Sequence, residues 1–242
     1  MKILITGVAG FIGFSLAEKL LNQNKIVYGI DNLDNYYSIK LKKNRLTQLR
    51  KYKKFNFYNI DICKNKILKK KIKNLKFDYI YHFAAQPGVR YSLVNPKKYY
   101  DVNVLGFQNI LENINKMKLK KIIYASSSSV YGDQLKFPIN ESSPLKAKNP
   151  YGLTKIINEE IAEIYSKILN KPIIGLRFFT AYGEWGRPDM FIIKLLNSIY
   201  KNKTFYLNNS GDHYRDFTYI NDITEICTKL IKKKVIKKHF IF

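Results

Sequence analysis

The sequence contains few cysteines and no long apolar segment. Cys63 and Cys227 are the two cysteines in 242 residues, and neither belongs to a CxxC pair. This favours free thiols in a reducing, cytoplasmic location over a disulfide framework, and we assign no residue to a metal site. No apolar run reaches the ~18 residues that a membrane-spanning helix needs, so no membrane partner is expected.

Acidic residues are also scarce, with 18 Asp and Glu against 43 Lys and Arg, which gives a net charge of +25. Such an excess raises the hypothesis of a nucleic-acid partner, which would bind in a salt-dependent way. However, the basic residues are mostly lysine, clustered at Lys40–Lys54, Lys64–Lys76 and Lys229–Lys238, where helical surfaces are predicted. We therefore interpret the clusters as solvated faces, keep a polyanion site as the alternative, and predict no nucleic-acid partner.

Short apolar strands alternate with amphipathic helices through most of the chain, which predicts a doubly wound α/β fold with a parallel sheet. Strands are predicted at Lys2–Thr6, Lys25–Ile30, Phe55–Ile60, Asp78–Phe83, Lys121–Ala125 and Pro172–Phe178, and helices at Phe11–Gln23, Ile39–Lys51, Lys64–Leu75, Asn95–Met117 and Tyr151–Leu169.

The alternation loosens after Phe178. Helices are predicted there at Phe191–Tyr200 and Asn221–Lys233, with a short strand at Phe205–Leu207 and a terminal strand near His239. We expect a dinucleotide-binding domain over residues 1–178 and an incomplete, smaller substrate-binding part over residues 179–242.

Three glycines, Gly7, Gly10 and Gly13, separate the first strand from its helix as GxxGxxG. Glycines at this spacing permit a tight turn, close approach of the backbone to a pyrophosphate, and close packing of helix on strand. Asp31 ends the next strand, where a carboxylate accepts hydrogen bonds from ribose hydroxyls and repels a 2′-phosphate. The pattern therefore predicts NAD rather than NADP. Asp61 follows the third strand as an adenine contact or, equally, a helix N-cap.

Tyr151 and Lys155 lie four residues apart on a predicted helix and so share a face. An ammonium group beside a phenol is expected to lower the pKa of the tyrosine and make it a usable base. The serine run Ser126–Ser129 follows a parallel strand, at the end where such sheets bind ligands. One serine is expected to donate to a reacting oxygen and the other three to serve turns or caps.

The segments TGVAGFIG, HFAAQ, SSSSVYG and YGLTK together resemble the extended short-chain dehydrogenase/reductase superfamily. Within it, the chain is similar to UDP-glucuronate 4-epimerases over nearly its whole length. The narrower resemblance is carried by Gly29–Leu46, Gln86–Pro96, Leu176–Met190 and His213–Ile223, and GRPDM and QPGVRYS are its most specific parts.

The resemblance implies a role for each matching residue. Ser127 matches the catalytic serine of the family, and Ser128 is the near alternative. Tyr151 matches the acid/base, and Lys155 matches the lysine that accompanies this tyrosine and also holds the nicotinamide ribose. Arg187 matches an arginine that holds a uronate carboxylate and Arg215 one that meets the diphosphate, which suits the bidentate fork of arginine. The full expected set is Gly7, Gly10, Phe11, Ile12, Gly13, Asp31, Asn32, Asp61, Ile62, Ala84, Ala85, Gln86, Tyr151 and Lys155 for the cofactor, and Arg90, Ser127, Ser128, Thr180, Arg187 and Arg215 for the substrate.

The implied function is NAD-dependent 4-epimerisation of UDP-glucuronate through a 4-keto sugar, in a homodimer formed by the helices Asn95–Met117 and Tyr151–Leu169. The alternatives are a UDP-glucose 4-epimerase, a decarboxylase or a dehydratase, although Ser128 and Ser129 stand where dehydratases carry Asp and Glu. A further alternative is an inactive NAD-binding fragment, because relatives continue past residue 242. We then expect an exposed apolar face on helix Asn221–Lys233 and an unpaired edge at Ile241 and Phe242.

Overall fold

Parallel strands that end at one edge of a central sheet position every residue of interest. The computed structural model describes residues 1–115, 117–212, 214–233 and 238–241. Within them, seven strands pair in the order β3-β2-β1-β4-β5-β6-β9. The strands are β1 Lys2–Thr6, β2 Ile26–Asp31, β3 Phe55–Asn59, β4 Tyr79–His82, β5 Lys121–Ser127, β6 Ile173–Phe178 and β9 His239–Ile241. The doubly wound parallel sheet predicted from the alternation is confirmed.

Helices cover both faces of the sheet, so two apolar cores form. One face carries α1 (Phe11–Asn22), α2 (Ile39–Arg50) and α9 (Ile220–Lys232). The other carries α3 (Asn65–Ile72), α6 (Gly106–Ile114) and α7 (Pro150–Leu169). The remaining helices are α4 (Val89–Val94), α5 (Pro96–Tyr99) and α8 (Phe191–Tyr200), and a separate two-stranded sheet pairs β7 (Thr180–Tyr182) with β8 (Phe217–Tyr219).

The helix predicted at Asn95–Met117 is interrupted. Asn95 caps α5 by accepting from the Lys98 amide at 3.4 Å, a π-helical segment spans Tyr100–Leu105, and α6 ends at Ile114. Residue 116 lies outside the described residues. The wide turn matters because it carries Asn103, whose amide contacts the end of β4.

Two other expectations about the carboxyl-terminal quarter are wrong. Phe205–Leu207 forms no strand, and the ring of Phe205 packs on that of Phe191, 5.5 Å between centroids. The strands of this region are β7 and β8 instead. The apolar face of α9 is not exposed, since Ile223, Cys227, Leu230 and Ile231 are buried in the core that α1 shares.

The terminal strand β9 is the edge of the large sheet and pairs on one side with β6, Ile241 opposite Arg177. Phe242 lies outside the described residues.

Exposed apolar surface occurs on α8, which has no buried residue. The division of the chain at residue 178 stays a prediction. Within the described part of the chain, no helix has the length and apolar character to cross a bilayer.

Candidate active site

One cleft of about 1680 Å³ runs along the carboxyl ends of β1, β2, β4, β5 and β6. The strand order reverses between β1 and β4, which is the position where such sheets bind ligands. All of the site residues predicted from the sequence line this cleft, from Gly7 and Asp31 at one end to Arg187 and Arg215 at the other. Their individual roles stay predictions.

The glycine turn between β1 and α1 leaves no room for a side chain at Gly7 or Gly13. Gly7 has φ +73, and a Cβ there would lie 2.6 Å from the Ala84 amide nitrogen. A Cβ at Gly13 would collide with the Gly7 carbonyl oxygen, whereas one at Gly10 would meet only that same turn. The first and third glycines therefore let strand, turn and helix pack closely, and the second leaves the backbone open to the cleft. Gly10 is the N-cap of α1, whose first-turn N–H groups have no partner within the helix.

Asp31 organises the same end of the cleft. Its carboxylate accepts from the Ala9 amide at 3.0 Å and from the Leu33 amide at 2.8 Å. Burial raises the pKa of Asp31 while those amides and the nearby Lys42 lower it. Glycine turn, free helix N-terminus and carboxylate fit a dinucleotide, with Ala84, Ala85 and Gln86 as the opposite wall.

Asp61 lies between the cleft and the start of α3. It lines the cleft, and its Oδ1 accepts from the Cys63 amide at 2.9 Å just ahead of α3. The N-cap interpretation is therefore wrong, because Lys64 is the N-cap of α3 and Asp61 bonds a residue that precedes the helix. The adenine contact stays a prediction. Phe11, Ile12, Asn32 and Ile62 line the adjoining wall.

At the centre of the cleft, α7 and the end of β5 bring three side chains together. The Asn149 side chain caps α7 by accepting from the Gly152 amide at 2.9 Å, with Pro150 in the first turn. Tyr151 thereby faces the end of β5, and Lys155, one turn later, donates to the Ala125 carbonyl at 2.9 Å. Ser127 hydrogen-bonds the Tyr151 phenol and also accepts from the Ser129 amide at 3.1 Å.

The expected effect of Lys155 on Tyr151 is not what the structure shows. Burial raises the pKa of Tyr151, and the opposing influences are the Ser127 hydrogen bond and the charge of Arg187. The Lys155 ammonium lies 5.8 Å from the tyrosine ring centroid and is directed to a backbone carbonyl. Burial also lowers the pKa of Lys155 to about 8, against the favourable charge of Glu159.

The arginines predicted to face the sugar are in different environments. Arg187 makes a bidentate ion pair with Asp189, at 3.1 Å and 2.5 Å, and stacks near the rings of Tyr36 and Tyr37. Arg90 and Arg215 are exposed on the cleft rim. Thr180 begins β7 beside them, and Ser128 starts a short 3₁₀ turn after β5.

Several residues that shape the site were not predicted. Asn103, from the π-helical segment, accepts from the Gln86 amide at 2.7 Å and donates to Thr154 Oγ1 at 3.0 Å, which ties β4 to α7. Lys42 and Arg45, interpreted from the sequence as part of a solvated face, are buried. The buried side of their helix α2 thus carries two cationic side chains. Lys42 donates to the Asp34 carbonyl and Arg45 to the Ala9 carbonyl.

These features fit a dinucleotide-binding α/β protein with a tyrosine, a serine and a lysine at the centre of its cleft. A family model for the NAD dependent epimerase/dehydratase family matches residues 3–241, and the chain belongs to that family.

Relatives support the same conclusion. Protein CapI of Staphylococcus aureus is 44% identical over 234 residues, which cover 96% of this chain and 70% of that protein. UDP-glucuronate 4-epimerase of Thermodesulfobacterium geofontis is 41% identical over 221 residues, covering 91% and 68%.

Among solved structures, UDP-glucuronic acid 4-epimerase from Bacillus cereus in complex with UDP-glucuronic acid and NAD has a TM-score of 0.93 at 35% identity, covering all of this chain and 77% of that one. UDP-glucose 4-epimerase from Thermotoga maritima with UDP-glucose gives 0.90 at 25% identity, covering all of this chain and 76% of that one. The predicted enzyme class, an NAD-dependent nucleotide-sugar epimerase, and NAD as its cofactor are confirmed.

Proposed function

We propose that the chain catalyses the NAD-dependent 4-epimerisation of UDP-glucuronate to UDP-galacturonate through a transient 4-keto sugar. The observation that carries the proposal is the joint placement of Tyr151, Ser127 and Arg187 in one cleft, with Arg187 close enough to influence the pKa of the tyrosine. The relatives and solved structures named as UDP-glucuronate 4-epimerases support the choice of sugar.

Each residue has a defined task in this reaction. Tyr151 takes the proton of the 4-hydroxyl and later returns it, while Ser127 hydrogen-bonds the reacting oxygen. Lys155, held by the Ala125 carbonyl, hydrogen-bonds the nicotinamide ribose. NAD, when bound, supplies the hydride acceptor for C4 and, because its oxidised ring is cationic, further charge that favours a phenolate. The keto sugar turns over in the cleft before hydrogen returns to its other face.

Arg187 would hold the uronate carboxylate in this scheme. A 4-keto uronate is a β-keto acid that loses CO₂ readily, so a fixed carboxylate protects the intermediate. Residues 1–178 then bind the dinucleotide and residues 179–242 contact the sugar nucleotide, with Arg90, Thr180 and Arg215 at the cleft rim as further contacts.

The reaction is tested by incubating the protein with NAD and UDP-glucuronate and separating the products. We expect UDP-galacturonate with no accumulation of NADH. Tyr151→Phe should lower kcat by about 10²- to 10⁴-fold while NAD still binds. A Tyr151→Phe protein that interconverts the uronates as fast as the parent would falsify the role of the phenol, and accumulation of a UDP-pentose would instead indicate a decarboxylase.

One observation favours a second substrate, UDP-glucose. Asp189 already occupies the fork of Arg187, so the cleft presents a neutralised arginine to the sugar. Arg187→Leu separates the two possibilities. If the uronate is the substrate, the variant loses about 10- to 100-fold in kcat/KM for UDP-glucuronate and much less for UDP-glucose, because one charge-assisted bidentate contact is removed. Equal losses for both sugars would contradict the uronate assignment.

We also propose a homodimer. Exposed apolar side chains lie on the helices that the resemblance implicates, including Leu105 in the π-helical segment and Leu153, Ile164 and Ile168 on α7. Monomeric surfaces rarely carry apolar side chains grouped in this way, so the face suits a second copy of the chain.

A further inference from the structure

Arg45 joins the two ends of the cleft through one guanidinium group. This residue of α2 is fully buried. Its Nη1 donates to the Ala9 carbonyl at 2.8 Å and to the Tyr37 hydroxyl at 2.7 Å. Its Nη2 donates to the carbonyls of Trp185 and Gly186, the two residues that precede Arg187.

On the dinucleotide side, Arg45 holds the glycine turn from one flank. The peptide unit of Ala9 follows Gly7 and Val8, and the amide of Ala9 donates to Asp31 at 3.0 Å. Asp31 and Arg45 therefore fix the amide and the carbonyl of the same residue. A shift of this turn would therefore act on the guanidinium through the Ala9 carbonyl.

On the sugar side, Arg45 holds a loop whose own conformation is unfavourable. Trp185 has φ +62, a region that a bulky side chain rarely adopts. Its ring packs on Phe14 of α1, 5.3 Å between centroids, and the Gly186 amide donates to the Gly183 carbonyl at 3.1 Å. Contacts with the dinucleotide half, rather than local preference, thus determine where Arg187 lies.

A lysine at position 45 could not make the same set of hydrogen bonds. A single ammonium group lacks the planar fork that reaches two separate segments at once. The arrangement also has a cost, because Arg45 Nε is buried and, in the described part of the molecule, has no hydrogen-bond partner. The chain has six arginines among its 43 basic residues, and one of the six is committed here.

We propose that Arg45 is a positioning residue that couples the dinucleotide turn to the Arg187 loop, so that cofactor binding fixes the arginine that meets the sugar acid. The role of Arg187 in this inference rests on the proposed function. The coupling itself is measurable without any sugar.

Trp185 provides the first test because it is the one tryptophan of the chain. Titration of the parent with NAD should change its fluorescence. In Arg45→Lys, calorimetry should still detect NAD binding, but most of the fluorescence response should disappear. Arg50→Lys, on the same helix but exposed, should respond like the parent. A full response in Arg45→Lys overturns the proposal.

If Arg45→Lys does not fold, Tyr37→Phe takes its place. It keeps the ring and removes the hydroxyl that Arg45 contacts, so the Trp185 response should be reduced although the guanidinium remains. An unchanged response in a folded Tyr37→Phe protein that binds NAD counts against the coupling.

A double-mutant cycle gives the second test. Arg45→Lys should raise KM for UDP-glucuronate about tenfold, as expected when one charged hydrogen bond no longer positions Arg187, and should add little in an Arg187→Leu background. Full additivity would mean that Arg45 acts independently of Arg187 and would overturn the proposal. If the parent does not turn over UDP-glucuronate, the proposed function fails, and the fluorescence measurement alone decides the coupling.

Discussion

At the scale of single residues, burial has the largest effect on the pKa values of the two residues proposed for catalysis on α7. Tyr151 has a raised pKa and Lys155 a lowered one, and in both cases loss of solvent is the larger cause. In both residues burial shifts the protonation equilibrium towards the neutral form, although a Lys155 pKa of about 8 still leaves the amine mostly protonated at neutral pH. A charged group on a bound ligand would therefore shift the pKa values of Tyr151 and Lys155 strongly, because little water screens it there.

Lys155 leads to a prediction about pH and stability. Its pKa is about 8 in the folded protein and about 10.4 in an unfolded chain. Between these values the unfolded state binds more protons, so stability rises with pH through this window. Relative to Lys155→Met, the free energy of unfolding of the NAD-free parent should increase by up to about 3 kcal/mol from pH 8 to 10.5. Urea unfolding at several pH values measures the difference, and a flat difference would contradict a buried ammonium.

The sequence predicted those site residues whose signal is local. Gly7, Gly13 and Asp31 belong to a pattern of fixed spacing, and Tyr151 and Lys155 share a helix face. Asn103 and Arg45 had no such signal. One depends on a π-helical turn within an apparently regular helix, and the other looks like any basic residue until α2 packs on the loop at Trp185.

At the scale of elements, α7 carries three polar side chains on one face, at successive four-residue intervals. Glu159 follows Tyr151 and Lys155 at the same four-residue spacing. Its carboxylate accepts from Ser126 at 2.6 Å and forms a bidentate pair with the buried Arg177 of β6. Glu159 therefore fixes α7, which carries Tyr151, to β6 through Arg177 and to β5 through Ser126.

Removing this link should destabilise the protein strongly. Glu159→Gln leaves the Arg177 charge buried without its counter-ion, and we expect the free energy of unfolding to fall by about 3 kcal/mol. Glu163→Gln, one turn further along α7, removes ion pairs that are more exposed and should destabilise the protein far less than Glu159→Gln does. Urea unfolding measures the free energy of unfolding of both variants. A similar decrease in both would show that the buried ion pair contributes no more to stability than the exposed ones.

The elements with regular periodicity were predicted well, and those set by long-range pairing were not. The six strands before Phe178 appear within a residue or two of their expected bounds. By contrast, β7 and β8 are three residues each, and their pairing depends on segments about 37 positions apart in the sequence, which local patterns do not reveal. The burial of α9 likewise depends on α1.

At the scale of the molecule, the large positive charge lies mainly on exposed lysines of α2, α3 and the following turns, as expected for solvated faces. Lys42 and Lys121 are exceptions that satisfy backbone carbonyls inside the protein. Excess charge of one sign around a cleft attracts anionic ligands, so the surface favours capture of a sugar nucleotide without taking part in its recognition.

The dimer proposal gives a prediction for the whole molecule. Ile164 is 56% exposed on α7, and Ile168, one turn later, is 61% exposed. Ile164→Glu would bury a carboxylate against its symmetry mate in a helix-to-helix interface, so sedimentation at micromolar concentration should show a monomer where the parent is a dimer. Ile67→Glu changes an equally exposed isoleucine, 57%, on α3, a helix outside the proposed interface, and should leave the dimer intact. A dimer that survives Ile164→Glu would place the interface elsewhere, and a monomeric parent would refute the proposal.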